Sequence, residues 1–210
     1  MTVNQIFTIG HSVHSAEEFV ELLQAHRIDV VVDVRSSPYS QYTPQHNREM
    51  IQETLKKVGI RYLYLGAELG ARRDEEEAYD GDLARYELIR QLPSFKNGIE
   101  RVREGMQQYR IALMCAEKDP CDCHRSVLVT RVFHEEGVEV AHILEDGSID
   151  TQSDLERVMI DGRRSHGHQQ LDLGLGNSEE VITQAYRKRS EKICYRRTLD
   201  NDSSINGGSD

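Results

Sequence analysis

The stretch IDVVVDVR, residues 28–35, decides the fold, because a continuous run of β-branched residues predicts a strand buried on both faces. Four further apolar runs have the length of strands, and they cover residues 7–10, 60–66, 111–117 and 138–144. Helical patterns separate them, at residues 15–26, 47–59, 83–90, 95–109, 124–137 and 151–160. This alternation predicts a three-layer α/β fold, a mostly parallel sheet of about five strands with helices on both faces.

Capping boxes mark two of the helix starts. Ser15 with Glu18 precedes the first helix, and Ser153 with Glu156 is expected to begin the helix at residues 151–160. Beyond it, a Gly- and His-rich stretch gives way to a helical run and then to small polar residues. The chain therefore divides into a predicted α/β domain (1–160), a linker with a C-terminal helical extension (161–200) and a disordered tail (201–210).

The composition is that of a soluble globular protein rather than a general binder of polyanions. The 210 residues are 38% hydrophobic, and 36 acidic residues against 26 basic ones give a formal net charge of -10. No apolar run approaches the roughly 18 residues of a membrane span, and the first residues lack a secretory pattern. The expected location is the cytoplasm, where thiols stay reduced, so the four cysteines are interpreted as catalytic, metal-binding or inert.

One segment near the C-terminus is locally basic. Residues 187–197 hold six basic residues and one acidic residue. Such a segment could contact nucleic acid or dock a partner, but it is more often a solvated helix face.

Polar and glycine-rich loops follow the predicted strands at their carboxyl ends, where parallel sheets bind ligands. The loop with the most candidate functional side chains lies within MCAEKDPCDCHRS, residues 114–126. Cys115 ends a predicted strand there, and His124 and Arg125 open the next helix. A helix N-terminus and a guanidinium stabilise a thiolate, so Cys115 is a candidate nucleophile, although a cysteine in an apolar strand can equally be a small core residue.

The same loop also contains a candidate metal site. Cys115, Cys123 and His124 offer two sulfurs and a nitrogen, which suit zinc or iron. A fourth ligand would have to come from elsewhere, such as His11 or His142. Cys121 is the weakest candidate, because a C-x-C pair is rare in structural zinc sites.

Asp33 and Arg35 leave the decisive strand two residues apart, so their side chains point to the same side. They could form a structural ion pair, or act as a base and an anion clamp. The candidate groups for proton transfer or nucleophilic attack are Cys115, Glu117, Cys123, His124, Asp33 and His11. The candidates for holding the substrate are Ser12, Arg35, Ser40, Tyr64, Glu68, Arg72 and Arg125.

Five separated motifs, TIGHS, DVRSSPYS, YLYLGAELG, LMCAEKDPCDCHRS and VAHIL, together resemble the family catalogued as domain of unknown function 488, over about residues 5–160. The resemblance implies an α/β fold and no established activity. The signature positions that it implies are Gly10, His11, Ser12, Asp33, Arg35, Pro38, Ser40, Gly66, Leu69, Gly70, Cys115, Glu117, Cys123, His124 and Arg125. Two positions depart from the family pattern: His46 stands in place of Phe, and Ala71 in place of a second Gly.

A weaker likeness is to the plan of the rhodaneses and low-molecular-weight phosphatases, in which a thiolate loop lies next to an arginine. Here nine residues separate Cys115 from Arg125, a longer loop than that of the phosphatases.

The expected function is that of an enzyme with a Cys/His/Arg/Glu site at the carboxyl edge of the sheet. Its substrate would be a small anionic, phosphate-bearing molecule, a nucleotide or a nucleic-acid end. The alternatives are a hydrolase with zinc or iron on Cys115, Cys123 and His124, and a module that binds a ligand or nucleic acid without turning it over.

Overall fold

The computed structural model describes residues 5–162 and 179–197 and shows a six-stranded sheet in the order β3-β2-β6-β1-β7-β8. The strands are β1 (Gln5–Gly10), β2 (Val30–Asp33), β3 (Arg61–Tyr64), β6 (Ile111–Cys115), β7 (Glu139–Ile143) and β8 (Ile149–Thr151). Five of them are parallel, and β8 runs antiparallel to β7. The predicted α/β class is therefore confirmed. Strand β8 was not predicted, because its three residues include two exposed ones and form no apolar run.

The helices are α1 (Ala16–Ala25), α2 (Arg48–Lys57), α3 (Gly66–Leu69), α4 (Tyr86–Ile89), α5 (Pro93–Met106), α6 (Arg131–Glu135), α7 (Gln152–Asp161) and α8 (Glu179–Ile193). A π-helical segment, Arg125–Thr130, leads directly into α6. Two-residue strands β4 (Tyr79–Asp80) and β5 (Leu83–Ala84) form a hairpin before α4. No helix in the described ranges is long and apolar enough to cross a membrane.

Side chains alternate between two buried clusters, one on each face of the sheet, as the period of two in a strand requires. Along β6, Leu113 and Cys115 enter the cluster that includes residues of α3 and α5, whereas Ala112 and Met114 enter the cluster that includes residues of α1 and α2. Both faces of the central strands β2 and β6 are covered, which explains the unbroken apolar runs VVV and IALMC in their sequences.

The capping boxes are partly as predicted. Ser15 caps α1: its hydroxyl accepts a hydrogen bond from the backbone N–H of Glu18, and the Glu18 carboxylate accepts one from the backbone N–H of Ser15. The box predicted at Ser153 is wrong. Thr151 caps α7 instead, with Asp154 as its partner, because Thr151 leaves β8 in an extended conformation that turns its hydroxyl toward the first helical turn.

The C-terminal extension packs on the α/β domain through α8. Tyr186 is buried, and its hydroxyl accepts a hydrogen bond from Gln152 Nε2 at 2.7 Å and donates one to Glu156 at 2.9 Å. Nearly all of the predicted linker and the whole of the predicted tail lie outside the described residues.

Candidate active site

Four side chains converge just beyond the carboxyl end of β6. Cys115 ends the strand, Glu117 follows it, and Cys123 and His124 precede the π-helical segment. Their ligand atoms, one from each residue, all lie within 4.8 Å of one another. This group, Cys115, Glu117, Cys123 and His124, is called the thiol cluster below.

The contacts within the thiol cluster are short. The thiols of Cys115 and Cys123 donate to Glu117 Oε2 at 2.8 and 3.1 Å. His124 Nδ1 lies 3.7 Å from the sulfur of Cys115 and 4.0 Å from that of Cys123. Three members are buried and Glu117 is exposed, so solvent reaches the cluster from the carboxylate side.

The imidazole of His124 is oriented by the backbone of the neighbouring strand. Its Nε2 lies 2.9 Å from the carbonyl oxygen of Val34, just past the end of β2. A carbonyl only accepts, so Nε2 must carry a proton and donate it. Nδ1 is thereby directed at the two sulfurs, which is how a backbone carbonyl orients a metal-binding histidine.

Burial and mutual contact separate the acidities of the two thiols. Burial raises the pKa of Cys115 well above its ordinary value, and contact with Cys123 raises it further. Burial also opposes ionisation of Cys123, but the hydrogen bond with Cys115 and the charge of Arg125 outweigh it, so that pKa is lowered. Burial lowers the pKa of His124, yet Cys123 and Glu117 together raise it above its usual value. Cys123 is therefore the more acidic of the two thiols.

Arg125 holds the loop that carries the cluster. Its guanidinium is fully buried and donates to the carbonyl oxygens of Glu117 at 2.7 Å and Lys118 at 3.3 Å, and Nε donates to Thr8 Oγ1 at 3.4 Å. The sequence placed Arg125 among the substrate-binding residues. In the structure these donors face the loop and β1, so the side chain fixes the position of residue 117.

Gly10 allows this close approach between β1 and the loop. Beyond the strand, His11 N donates to the carbonyl of Cys115 at 2.9 Å and Ser12 N to that of Ala116 at 3.0 Å. A Cβ on Gly10 would lie 2.0 Å from the carbonyl oxygen of Glu117. Only glycine lets the backbones pack at this distance.

Asp33 and Arg35 form a buried ion pair next to the cluster. Arg35 donates to both carboxylate oxygens, from Nε at 2.9 Å and from Nη2 at 2.6 Å. Tyr62 donates to the same carboxylate at 2.7 Å, and Arg35 Nη2 also donates to the carbonyl of His46 at 2.9 Å. Of the two alternatives that the sequence left open, this geometry favours the structural ion pair.

His11 is a neutral histidine in this network. Burial, with smaller contributions from His46 and Arg35, lowers its pKa to about 3. Its Nε2 accepts from Arg35 Nη1 at 3.0 Å, and Nδ1 therefore donates to the carbonyl of Ser12 at 3.0 Å. The ring stacks on His46 at 4.4 Å between centroids. A neutral, doubly bonded imidazole fits a positioning role for His11.

A cavity of about 470 Å³ opens above the cluster. Its lining includes five of the residues singled out in the sequence, namely Arg35, Arg72, Cys115, Glu117 and His124. Ser12, Ser40, Tyr64 and Glu68 do not line it. Ser40 instead caps the turn at Tyr42 and Thr43, Tyr64 bonds the carbonyl of Ser36, and Glu68 pairs with Arg101.

Sequence reasoning missed several residues of the cavity wall. They are Ser36, Ser37, Tyr86, Asp122 and residues 193–196. Tyr86 is 4% exposed, and burial, followed by the nearby Cys123 and Cys194, raises its pKa well above the usual range. Its hydroxyl thus stays protonated. No motif marks Tyr86, because it lies far in sequence from the cluster that it faces.

The basic segment 187–197 is largely neutralised by ion pairs. Arg189 pairs with Asp122, Arg196 with Asp82, Arg197 with Glu76 and Arg187 with Glu191. Three of these four partners belong to the α/β domain, so the charges contribute to docking of the extension.

The donor set fits zinc or iron. Two sulfurs, an imidazole nitrogen and a carboxylate oxygen are all ligands of these metals, in which four-coordinate sites are common. The structure corrects the expected fourth ligand. His142 bonds Thr8 and Gln152, and His11 bonds Arg35, whereas Glu117 lies at the cluster. Cys121 is outside the group.

Comparison with models of protein families matches residues 15–132 to the family described as domain of unknown function DUF488. No curated protein and no solved structure matches the chain. The likeness to the rhodanese and phosphatase plan therefore stays a prediction from the sequence.

Proposed function

Since the chain belongs to the family described as domain of unknown function DUF488, a description that assigns no reaction, we propose a function from the geometry of the site. The protein is a metal-dependent enzyme. Cys115, Cys123 and His124 hold zinc or iron, and an anionic, phosphate-bearing small molecule is the substrate.

The observation that carries this proposal is the convergence of four donor atoms within 4.8 Å of one another. In a tetrahedral site, bonds of about 2.3 Å to sulfur and 2.0–2.1 Å to nitrogen place the ligand atoms roughly 3.5–3.8 Å apart. The observed separations of 3.7 and 4.0 Å between His124 Nδ1 and the two sulfurs are close to this range.

The charge of the cluster supports the same assignment. With both thiols ionised, Cys115, Cys123 and Glu117 would carry three negative charges around a largely buried site. Buried charges are expensive unless they are paired or bind a metal. A divalent cation compensates two of these three charges and releases the thiol protons as it binds.

Glu117 is suited to proton transfer because it is the exposed member of the cluster. In this proposal Cys115, Cys123 and His124 hold the metal, and Glu117, the fourth donor of the cluster, stays off it. That arrangement leaves the open position that catalytic zinc sites require. The metal would activate water for attack on the substrate. Glu117, on the solvent side, would then accept the proton of that water.

The test is the metal content of untagged protein, measured by plasma mass spectrometry. The wild type should contain about one equivalent of zinc or iron, as a single site of this type predicts. Cys115→Ser, Cys123→Ser and His124→Ala should each lose most of it. Cys121→Ser is the matched control, a buried cysteine of the same loop outside the cluster, and should keep it. Metal-free wild type, or equal loss in the control, overturns the proposal.

A thiol enzyme is the second candidate, favoured by the lowered pKa of Cys123. In that case Cys123 or Cys115 would attack the substrate directly, with Arg125 and His124 stabilising the thiolate. Iodoacetamide distinguishes the two. A thiol enzyme is alkylated as purified at neutral pH, whereas a metal site is alkylated only after a chelator has removed the metal.

A further inference from the structure

The C-terminal end of α8 and the residues after it complete the cavity. The segment 193–196, called the arm here, lines the cavity together with residues 35–37 of the α/β domain. Backbone hydrogen bonds fix the arm to the β4–β5 hairpin, with Ala84 N donating to the carbonyl of Tyr195 at 2.9 Å and Arg197 N to that of Asp82 at 2.8 Å. The arm lies outside the family-matched residues 15–132.

The arginines of the cavity differ in what they already bind. Arg35 is committed to Asp33, and Arg196 binds both carboxylate oxygens of Asp82, at 2.9 and 2.7 Å. Arg72 makes no ion pair with any residue in the described ranges. Its guanidinium instead lies over the ring of Tyr195, with 4.9 Å between the central carbon and the ring centroid. Among the described arginines of the cavity, Arg72 is therefore the one whose charge is not paired with an acidic side chain and is available to a ligand.

Stacking on an aromatic ring fixes the plane of a guanidinium while its N–H groups, which lie in that plane, stay free to donate. Two such parallel N–H groups match two oxygens of a phosphate. The backbone beside Arg72 is held as well, because its N–H donates to Ser36 Oγ at 2.9 Å. The neighbouring Arg73 is 5% exposed and anchors the same loop through the carbonyls of Ala67 and Glu68.

We propose that Arg72 binds the phosphate group of the substrate and that Tyr195, supplied by the arm, is the positioning residue that orients its guanidinium. The arm therefore decides which anions the cavity accepts. This inference takes the phosphate-bearing substrate from the proposed function. It does not depend on whether the thiol cluster binds a metal. A chain of the same family with a different arm would present Arg72 differently and select a different substrate.

The test is titration of the full-length protein with inorganic phosphate by isothermal calorimetry, with the metal content of each sample measured in parallel. Arg72→Ala should weaken phosphate binding about tenfold, and Arg72→Lys should restore little of it, because a lysine lacks the paired donors. Tyr195→Ala should weaken binding about fivefold, whereas Tyr195→Phe, which keeps the ring, should stay within about twofold of the wild type.

The double variant and a matched control complete the design. Arg72→Ala combined with Tyr195→Ala should bind no more weakly than Arg72→Ala alone, because the tyrosine acts through the arginine. Arg197→Ala is the control. Arg197 follows the arm and stacks on Tyr79 in the same way, but it pairs with Glu76 and does not line the cavity. It should leave phosphate binding unchanged.

The other outcomes separate this inference from the metal proposal. If Tyr195→Ala binds phosphate like the wild type, the positioning role is wrong while the metal site and Arg72 stand. If Arg197→Ala weakens binding as much as Tyr195→Ala, docking of the arm and not the stacked pair is responsible. If metal-loaded wild type binds no phosphate, both this inference and the proposed substrate class are wrong. If phosphate binds to a metal-free wild type in the expected pattern, the inference stands and the metal proposal fails.

Discussion

The ring of His124 joins Val34 to Cys115: Nε2 donates to the carbonyl of Val34 at 2.9 Å, and Nδ1 faces the sulfur of Cys115 at 3.7 Å. Two adjacent strands therefore define the cluster, since β6 supplies the cysteine and the end of β2 sets the orientation of the imidazole. A histidine held in this way has little freedom to turn its Nδ1 elsewhere, which pre-organises it for a metal or a thiolate.

Gly10 should be needed for the cluster as well as for the fold. In Gly10→Ala the added Cβ meets the Glu117 carbonyl at 2.0 Å and must displace the loop that Arg125 holds. We expect a loss of about 1–3 kcal/mol in the free energy of unfolding, the usual cost of overpacking, together with loss of bound metal. Urea denaturation and metal analysis measure the two effects.

Gly137→Ala is the control for that prediction. Gly137, unlike Gly10, has a backbone conformation that favours glycine, at φ +81°, and the position of its Cβ is open space. The variant should be destabilised by about 1 kcal/mol through backbone strain alone and should keep its metal. Full metal content in Gly10→Ala would show that the close approach is dispensable.

Arg35 should be important mainly for stability. Arg35→Ala leaves the buried carboxylate of Asp33, which is 0% exposed, without its partner. Breaking a buried pair costs about 3–5 kcal/mol, so the urea midpoint should fall steeply. Arg157→Ala, which breaks a surface pair with Asp154, should change the free energy of unfolding by less than about 1 kcal/mol. If the two variants were equally stable, the structural role of Arg35 would be wrong and its alternative role as a substrate-binding residue would be favoured.

The loop that carries Arg72 should lose its anchor in acid. Burial raises the pKa of Glu75, but hydrogen bonds from Arg73 and Ser94 outweigh it and lower the pKa from about 4.5 to about 2. Below pH 4.5 the unfolded chain takes up a proton at this position that the folded chain does not, so stability is lost as the pH falls toward 2.

Glu75→Gln tests this dependence. The variant should be less stable than the wild type at pH 7, and the difference should shrink as the pH falls from 4.5 toward 2. Unfolding by urea at a series of pH values measures it. A difference that stays constant across this interval would mean that the carboxylate charge does not stabilise the loop.

The fold was predictable because the strands are continuous apolar runs and the helices between them are amphipathic. The strand at residues 28–35 and the loop after residue 115 were both located from local sequence. Cys115, Glu117, Cys123 and His124 were singled out because they lie within ten residues of one another. Their convergence follows from a short loop between a strand and a helix.

What the sequence did not show depends on long-range packing. Tyr86 and Tyr195 reach the cavity from distant segments, and no spacing relates them to Cys115. The burial of Arg125 was also hidden, since an arginine at a helix start is usually exposed to ligand or solvent. The cap at Thr151 was misplaced because the short strand β8 before it was not detected.

The most direct test of the central claim is X-ray absorption spectroscopy of the metal in purified protein. The account predicts two sulfur neighbours at about 2.3 Å and one or two nitrogen or oxygen neighbours at about 2.0–2.2 Å. In the control Cys121→Ser, which should keep its metal, both sulfur neighbours should remain. A shell of oxygen and nitrogen alone, or a protein that holds no metal to measure, would contradict the account.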